Sequence, residues 1–88
     1  MAAPPEPAVG SKGSPTGEQF GRVVRRLRLE RGLKLQELAK AAGLHWTYLS
    51  GVERGRRNPS LKVLAAIAGS FGLSTAELVR RAEQIQPW

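Results

Sequence analysis

The chain has 88 residues, enough for one small domain and no second core. It contains no cysteine, no aspartate and one histidine, so disulfide staples, thiolate metal sites and most nucleophile–base pairs cannot be assembled. Fourteen Lys/Arg against seven acids, all of them glutamate, leave a formal charge of +7, which points to a polyanionic partner: nucleic acid before an anionic membrane.

The stretch "MAAPPEPAVGSKGSPTG" carries four of the six prolines and almost no bulky apolar residue. Such a segment cannot bury enough surface to offset its ordering entropy, so residues 1–16 are expected to form a flexible, disordered tail. Its charges cancel, and it lacks the arginines of a minor-groove arm. It also lacks the basic start and apolar run of a signal peptide, and a cytoplasmic protein is expected. The longest apolar run, Val63 to Ala68, is far too short to span a bilayer.

Order is expected from Thr16. "TGEQ" fits a capping box with Thr16 and Gln19. Phe20, Val23, Val24 and Leu27 then recur at helical spacing, and "RGL" at Arg31 to Leu33 closes the helix on a glycine. Leu29 falls off this stripe. A second helix spans about Leu35 to Ala42 and stops at Gly43. A third, His45 to Arg54, spaces Leu49 and Val52 three apart. "RGRRNP" reads as loop, punctuated by Gly55 and Pro59. Ser60 suits the N-cap of a fourth helix, whose apolar face is Leu61, Leu64, Ala65, Ile67, Ala68 and Phe71. Ser74 and Glu77 form a second capping box, opening a fifth helix through Leu78, Val79 and Ala82. The fold class is all-α: five short helices at 17–83, a tail at 1–16 and a short C-terminal tail at 84–88.

Two helices joined by a glycine turn, with small Ala39 in the first and Leu49 and Val52 late in the second, make a helix-turn-helix pattern. Here the chain resembles the phage-repressor/Cro-type (XRE) helix-turn-helix family. The fragments "RRLRLERGL", "ELAKAAGL", "YLSGVERGRRNPSL" and "FGLSTAEL" occur in the family's order and spacing, over about two-thirds of the chain. The resemblance implies a compact lambda-repressor-like bundle and a transcriptional regulator of bacteria or phage, associated with the nucleoid. Its third helix, about 45–54, would enter the major groove of double-stranded DNA. It also implies a structural pair, Arg28 on the first helix with Glu53 of "ERG". No catalytic role, metal or cofactor is implied.

Contacts sort by role. Phosphate candidates are Lys34, Tyr48, Arg54, Arg56, Arg57 and Asn58, with Lys40 and Arg26 weaker. Backbone amides at the starts of the second and fourth helices are further anion donors. Base-reading candidates are His45, Trp46, Thr47 and Ser50. Several positions depart from the family. Lys34 replaces Ser, Thr or Asn, and Leu35 replaces a frequent Gln. His45 replaces the usual cap, Trp46 a polar residue, and Gly51 a frequent reading side chain. The polar reading set is thin, so binding led by phosphates and DNA shape is expected.

A homodimer on a pseudo-palindrome would place two recognition helices about 34 Å apart. Its interface is expected at Leu78, Val79, Ala82, Ile85 and Trp88, with Trp88 as anchor. The alternative is a protein-interaction module that keeps the fold and uses a Leu35–Trp46–Tyr48 face. The cluster Arg54, Arg56 and Arg57 argues against it.

Overall fold

The computed structural model describes residues 16–85, which form five helices and no strand: α1 (Gly17–Glu30), α2 (Leu35–Ala42), α3 (Trp46–Glu53), α4 (Leu61–Ser70) and α5 (Thr75–Glu83). The tail expected at 1–16 lies outside the described residues apart from Thr16, and so does Trp88.

Local chemistry sets the helix starts. Thr16 Oγ1 accepts from the Gln19 amide at 3.2 Å, and Gln19 Oε1 accepts from the Thr16 amide at 2.7 Å, completing the expected capping box. Ser60 and Ser74 accept from the amides of Val63 and Glu77. The Glu77 carboxylate turns to Arg80 and Arg81 rather than back to Ser74, the Arg81 contact being 3.0 Å. Chiefly because Arg81 donates to it, Glu77 titrates below the usual carboxylate range. At α2 the lysine at the N-cap has no acceptor, and Glu37 Oε1 accepts from the Lys34 amide at 2.7 Å.

The ends of the first four helices share one device. Gly43 adopts φ +71°, and the Leu44 amide then reaches the Ala39 carbonyl at 2.8 Å, a Schellman closure. The same bond follows α1 (Leu33 to Arg28) and α4 (Leu73 to Ala68), each behind a left-handed glycine. In these three cases a leucine comes after the glycine and packs partly buried against the core. After α3 the sequence is Gly55–Arg56, and the Arg56 amide bonds the Gly51 carbonyl at 2.8 Å. An arginine there cannot follow the leucines inward, so the chain leaves α3 along the surface.

The principal packing runs as a closed cycle: α1 on α3, α3 on α2, α2 on α4, α4 on α5 and α5 on α1. Each helix supplies a fully buried side chain: Val24, Leu38, Leu49 with Val52, Ile67 and Leu78. Leu61 and Ala65, expected on the apolar face of α4, are exposed instead. Leu61 is 71% accessible, since it opens the helix just after its cap and points out beside Lys62.

The expected dimer interface needs a larger correction. Leu78 and Ala82 have no accessible surface and Ile85 is 7% accessible, because α5 closes the cycle onto α1 and α4 and spends its apolar stripe there. Ile85, placed by sequence in the C-terminal tail, also accepts at its carbonyl from Gln19 Nε2 at 2.7 Å. Val79 is half-buried.

The α1–α3 contact is the tightest. A Cβ on Gly21 would stand 2.4 Å from the Val52 carbonyl oxygen and 2.6 Å from that of Glu53, so the two backbones meet there. About two turns on, Arg28 and Glu53 pair as two forks: Nε to Oε2 at 2.7 Å and Nη2 to Oε1 at 3.0 Å. Arg28 Nη1 also donates to the Leu33 carbonyl at 2.9 Å, joining the α1–α2 turn to both helices. The side chains are 10% and 5% accessible. The bond to Glu53 holds the already high pKa of Arg28 higher still, against the opposing effect of its burial.

Two stability measurements check this junction. Gly21→Ala gains helix propensity of up to about 1 kcal/mol, but the clash is with backbone and cannot rotate away. A net loss of about 2 kcal/mol in urea unfolding is expected, and a stabilised variant would refute the close approach. Glu53→Ala leaves a guanidinium without its carboxylate and is expected to cost about 3 kcal/mol, whereas the paired change Arg28→Met with Glu53→Leu costs less than that single change. If the double variant is the less stable, the fork contributes more than its desolvation removes.

Candidate nucleic-acid interface

Three of the four base-reading candidates stand together at the start of α3. His45, Trp46 and Thr47 are exposed and Ser50 is half-buried, while Leu49 and Val52 face the core and Gly51 is covered by the Arg57 side chain. The helix is therefore anchored along one side and open along the other.

His45 is the N-cap of α3. Its Nδ1 accepts from the Thr47 amide at 3.2 Å and lies 2.7 Å from Thr47 Oγ1. An accepting Nδ1 leaves the ring N–H on Nε2 as an outward donor. The Thr47 hydroxyl donates inward to the same nitrogen, so toward a ligand it offers acceptor lone pairs and its methyl group. Trp46 is 46% accessible and absent from the core, and its ring lies beside that of His45 with centroids 6.1 Å apart and planes inclined by 25°. Its indole is thus a surface feature of the helix start.

The basic candidates are exposed as their charge requires. Lys34 stands at the N-cap of α2, and Arg54, Arg56, Arg57 and Asn58 follow α3. Lys40 is exposed on α2. Arg26 lines a shallow groove of about 350 Å³ between α1 and α5, shared with Glu30, Glu77 and Arg81, so its surroundings are of mixed charge. At the α2 start the Lys34 amide is already taken by Glu37, which weakens that helix end as an anion donor. Leu29 is 54% accessible on α1, a single exposed leucine.

The loop is set against the start of α1. A Cβ on Gly55 would lie 2.9 Å from Glu18 Cγ, and one on Gly17 would lie 3.6 Å from the Arg57 carbonyl oxygen. Within the loop Arg57 behaves differently from its neighbours. Its guanidinium carbon lies 5.8 Å from the centre of the Tyr48 ring, and its stem covers Gly51. Tyr48 itself is half-buried and packs on the core.

Sequence reasoning missed Gly21, Gln19 as a link to Ile85, and the seat of Arg57. An isolated glycine within the helical pattern "QFGRVV" was the available signal for the first. Neither of the others has a local signature.

Residues 24–78 match the model of the helix-turn-helix family HTH_3. The chain is 45% identical over 60 residues to the HTH-type transcriptional regulator DdrOP3 of Deinococcus deserti, covering 68% of this chain and 46% of that protein. Among solved structures it is similar to the clp gene regulator ClgR from Corynebacterium glutamicum, with TM-score 0.71 and 36% identity over 75% of this chain and 70% of that one. It is also similar to SinR, a master regulator for biofilm formation, in complex with DNA, with TM-score 0.63 and 35% identity over 67% of this chain and 95% of that one. The chain thus spans less than half the length of DdrOP3. The matched segment begins within α1, takes in the glycine turn between α2 and the exposed α3, and ends in α5. This chain belongs to the XRE-type helix-turn-helix family.

Proposed function

We propose that this protein is a transcriptional regulator that binds double-stranded DNA with α3 in the major groove, acting in the cytoplasm at the nucleoid. The observation that carries this reading is the exposed start of α3, with His45, Trp46 and Thr47, beside a loop bearing Arg54, Arg56 and Asn58. The buried side of α3 is bolted to the core, so the helix can enter a groove without the domain deforming. Relatives named as transcriptional regulators, one of them solved in complex with DNA, support the same reading.

Lys34, Arg54, Arg56 and Asn58 are the phosphate set. At the base edges His45 contributes its Nε2 donor, Thr47 an acceptor and a methyl, and Trp46 an apolar face for thymine methyls or sugars. Ser50, half-buried, is the weakest member. Two such domains on a pseudo-palindrome would read two half-sites, with the contact between copies falling on Val79 and on Trp88. The competing interaction-module reading is disfavoured, because Arg57 lies over Tyr48 and interrupts the apolar face with a cation.

A salt titration on random and selected duplexes tests DNA binding. A steep fall of log affinity with log salt is expected, and Arg56→Ala lowers the slope by about 0.9 without changing sequence preference. No duplex binding at low salt would overturn the reading. For the assembly, sedimentation of the wild type against Val79→Arg and Trp88→Ala is expected to show dimers only for the wild type on a palindromic duplex. One chain per palindrome at saturation rules the dimer out.

A further inference from the structure

Residue 51 lies one turn beyond Thr47 on α3, so the two share a stripe. Gly51 brings no side chain to that stripe, yet it is buried, because Arg57 folds back across it. A Cβ there would stand 2.8 Å from Arg57 Cγ, 3.4 Å from Nε and 3.6 Å from Cδ. From Gly51 the side chain runs on to Tyr48, toward the first turn of α3, and its guanidinium ends over that ring. The Arg56 amide bonded to the Gly51 carbonyl pins the loop to the same residue. Arg57 is nevertheless exposed, and among the described residues no carboxylate pairs with it.

We propose that Arg57, seated on α3 over Gly51 and Tyr48, is the reading side chain that α3 lacks at residue 51, and that it presents its guanidinium to a guanine edge in the major groove. The inference rests on α3 being the groove-entering helix. A guanidinium fork matches guanine O6 and N7. A stem already laid on the helix has less freedom to lose on binding than the free stems of Arg54 and Arg56. The ring beneath holds the guanidinium through its π face, which consumes none of the N–H donors. Gly51 and Tyr48 are positioning residues. The glycine makes room for the stem, and the ring sets the direction.

The test compares the selected duplex with its single-base-pair variants for wild type, Arg57→Ala, Arg57→Lys, Gly51→Ala and the Gly51→Ala/Arg57→Ala double variant, with thermal unfolding of each. Arg57→Ala and Gly51→Ala are each expected to lower the preference at one guanine position by roughly 5- to 100-fold and to leave discrimination elsewhere intact. Arg57→Lys keeps the charge but not the fork, and does not restore that preference. Gly51→Ala unfolds at or above the wild-type temperature, because alanine favours the helix and the displaced side chain is flexible. In the Arg57→Ala background it changes nothing further. Equal weakening on every duplex, with a salt slope lower by about one, would make Arg57 a phosphate contact and overturn the proposal. So would a Gly51→Ala variant that reads the site as the wild type does. Failure of the wild type to bind any duplex would instead overturn the assignment of α3, and this inference with it.

Discussion

The structure depends on how closely α1 and α3 meet. At Gly21 the backbone of α1 lies against the last carbonyls of α3, and a single methyl group would force them apart. Further along α1, Arg28 grips Glu53 with two parallel hydrogen bonds and the Leu33 carbonyl with a third. Contact without a side chain at one point and a rigid polar fork at the other fix both the separation and the angle of α3. A short helix with two core residues needs such fixing, since eight residues have little helical stability of their own.

The exit from α3 follows from a change of one residue in a repeated device. Three helices end in a left-handed glycine followed by leucine, and each leucine turns the chain back to the core. The fourth such glycine, Gly55, is followed by Arg56, and the chain stays outside. The same hydrogen-bond geometry therefore yields either a buried corner or an exposed basic loop, and the hydration of the following side chain decides which. The proposed reading edge and the basic loop lie at the two ends of one short helix, and Arg57 reaches back from the loop over Gly51 to Tyr48.

The proposed reading edge is partly self-satisfied. His45 and Thr47 spend hydrogen bonds on each other to cap α3, which narrows what they offer a base to one donor and one acceptor. Trp46 adds apolar surface beside them. Discrimination by few polar groups suits recognition in which phosphates set the register and DNA shape contributes much of the selectivity. Against that background a guanidinium held in place on the helix would carry unusual weight.

The sequence by itself determined the five helices, the N-caps at Thr16, Ser60 and Ser74, and the glycine ends of the first four helices. Those features depend on residues no more than about five apart, so spacing, N-cap chemistry and left-handed glycines suffice to place them. The histidine cap of α3 was legible through the family resemblance, as a substitution at a capping position. The Arg28–Glu53 pair, 25 residues apart, was legible only through the family resemblance. What tertiary structure alone decided were the questions of which faces meet. It put Leu78, Ala82 and Ile85 inside the molecule rather than on a partner, and left Leu61 out in solvent. It made Gly21 a contact point, joined Gln19 to Ile85 across 66 residues, and laid Arg57 over Gly51. An apolar stripe states that a face will be covered but does not name the cover, because burial free energy is non-directional. Only the closed cycle of packed helices supplied the names.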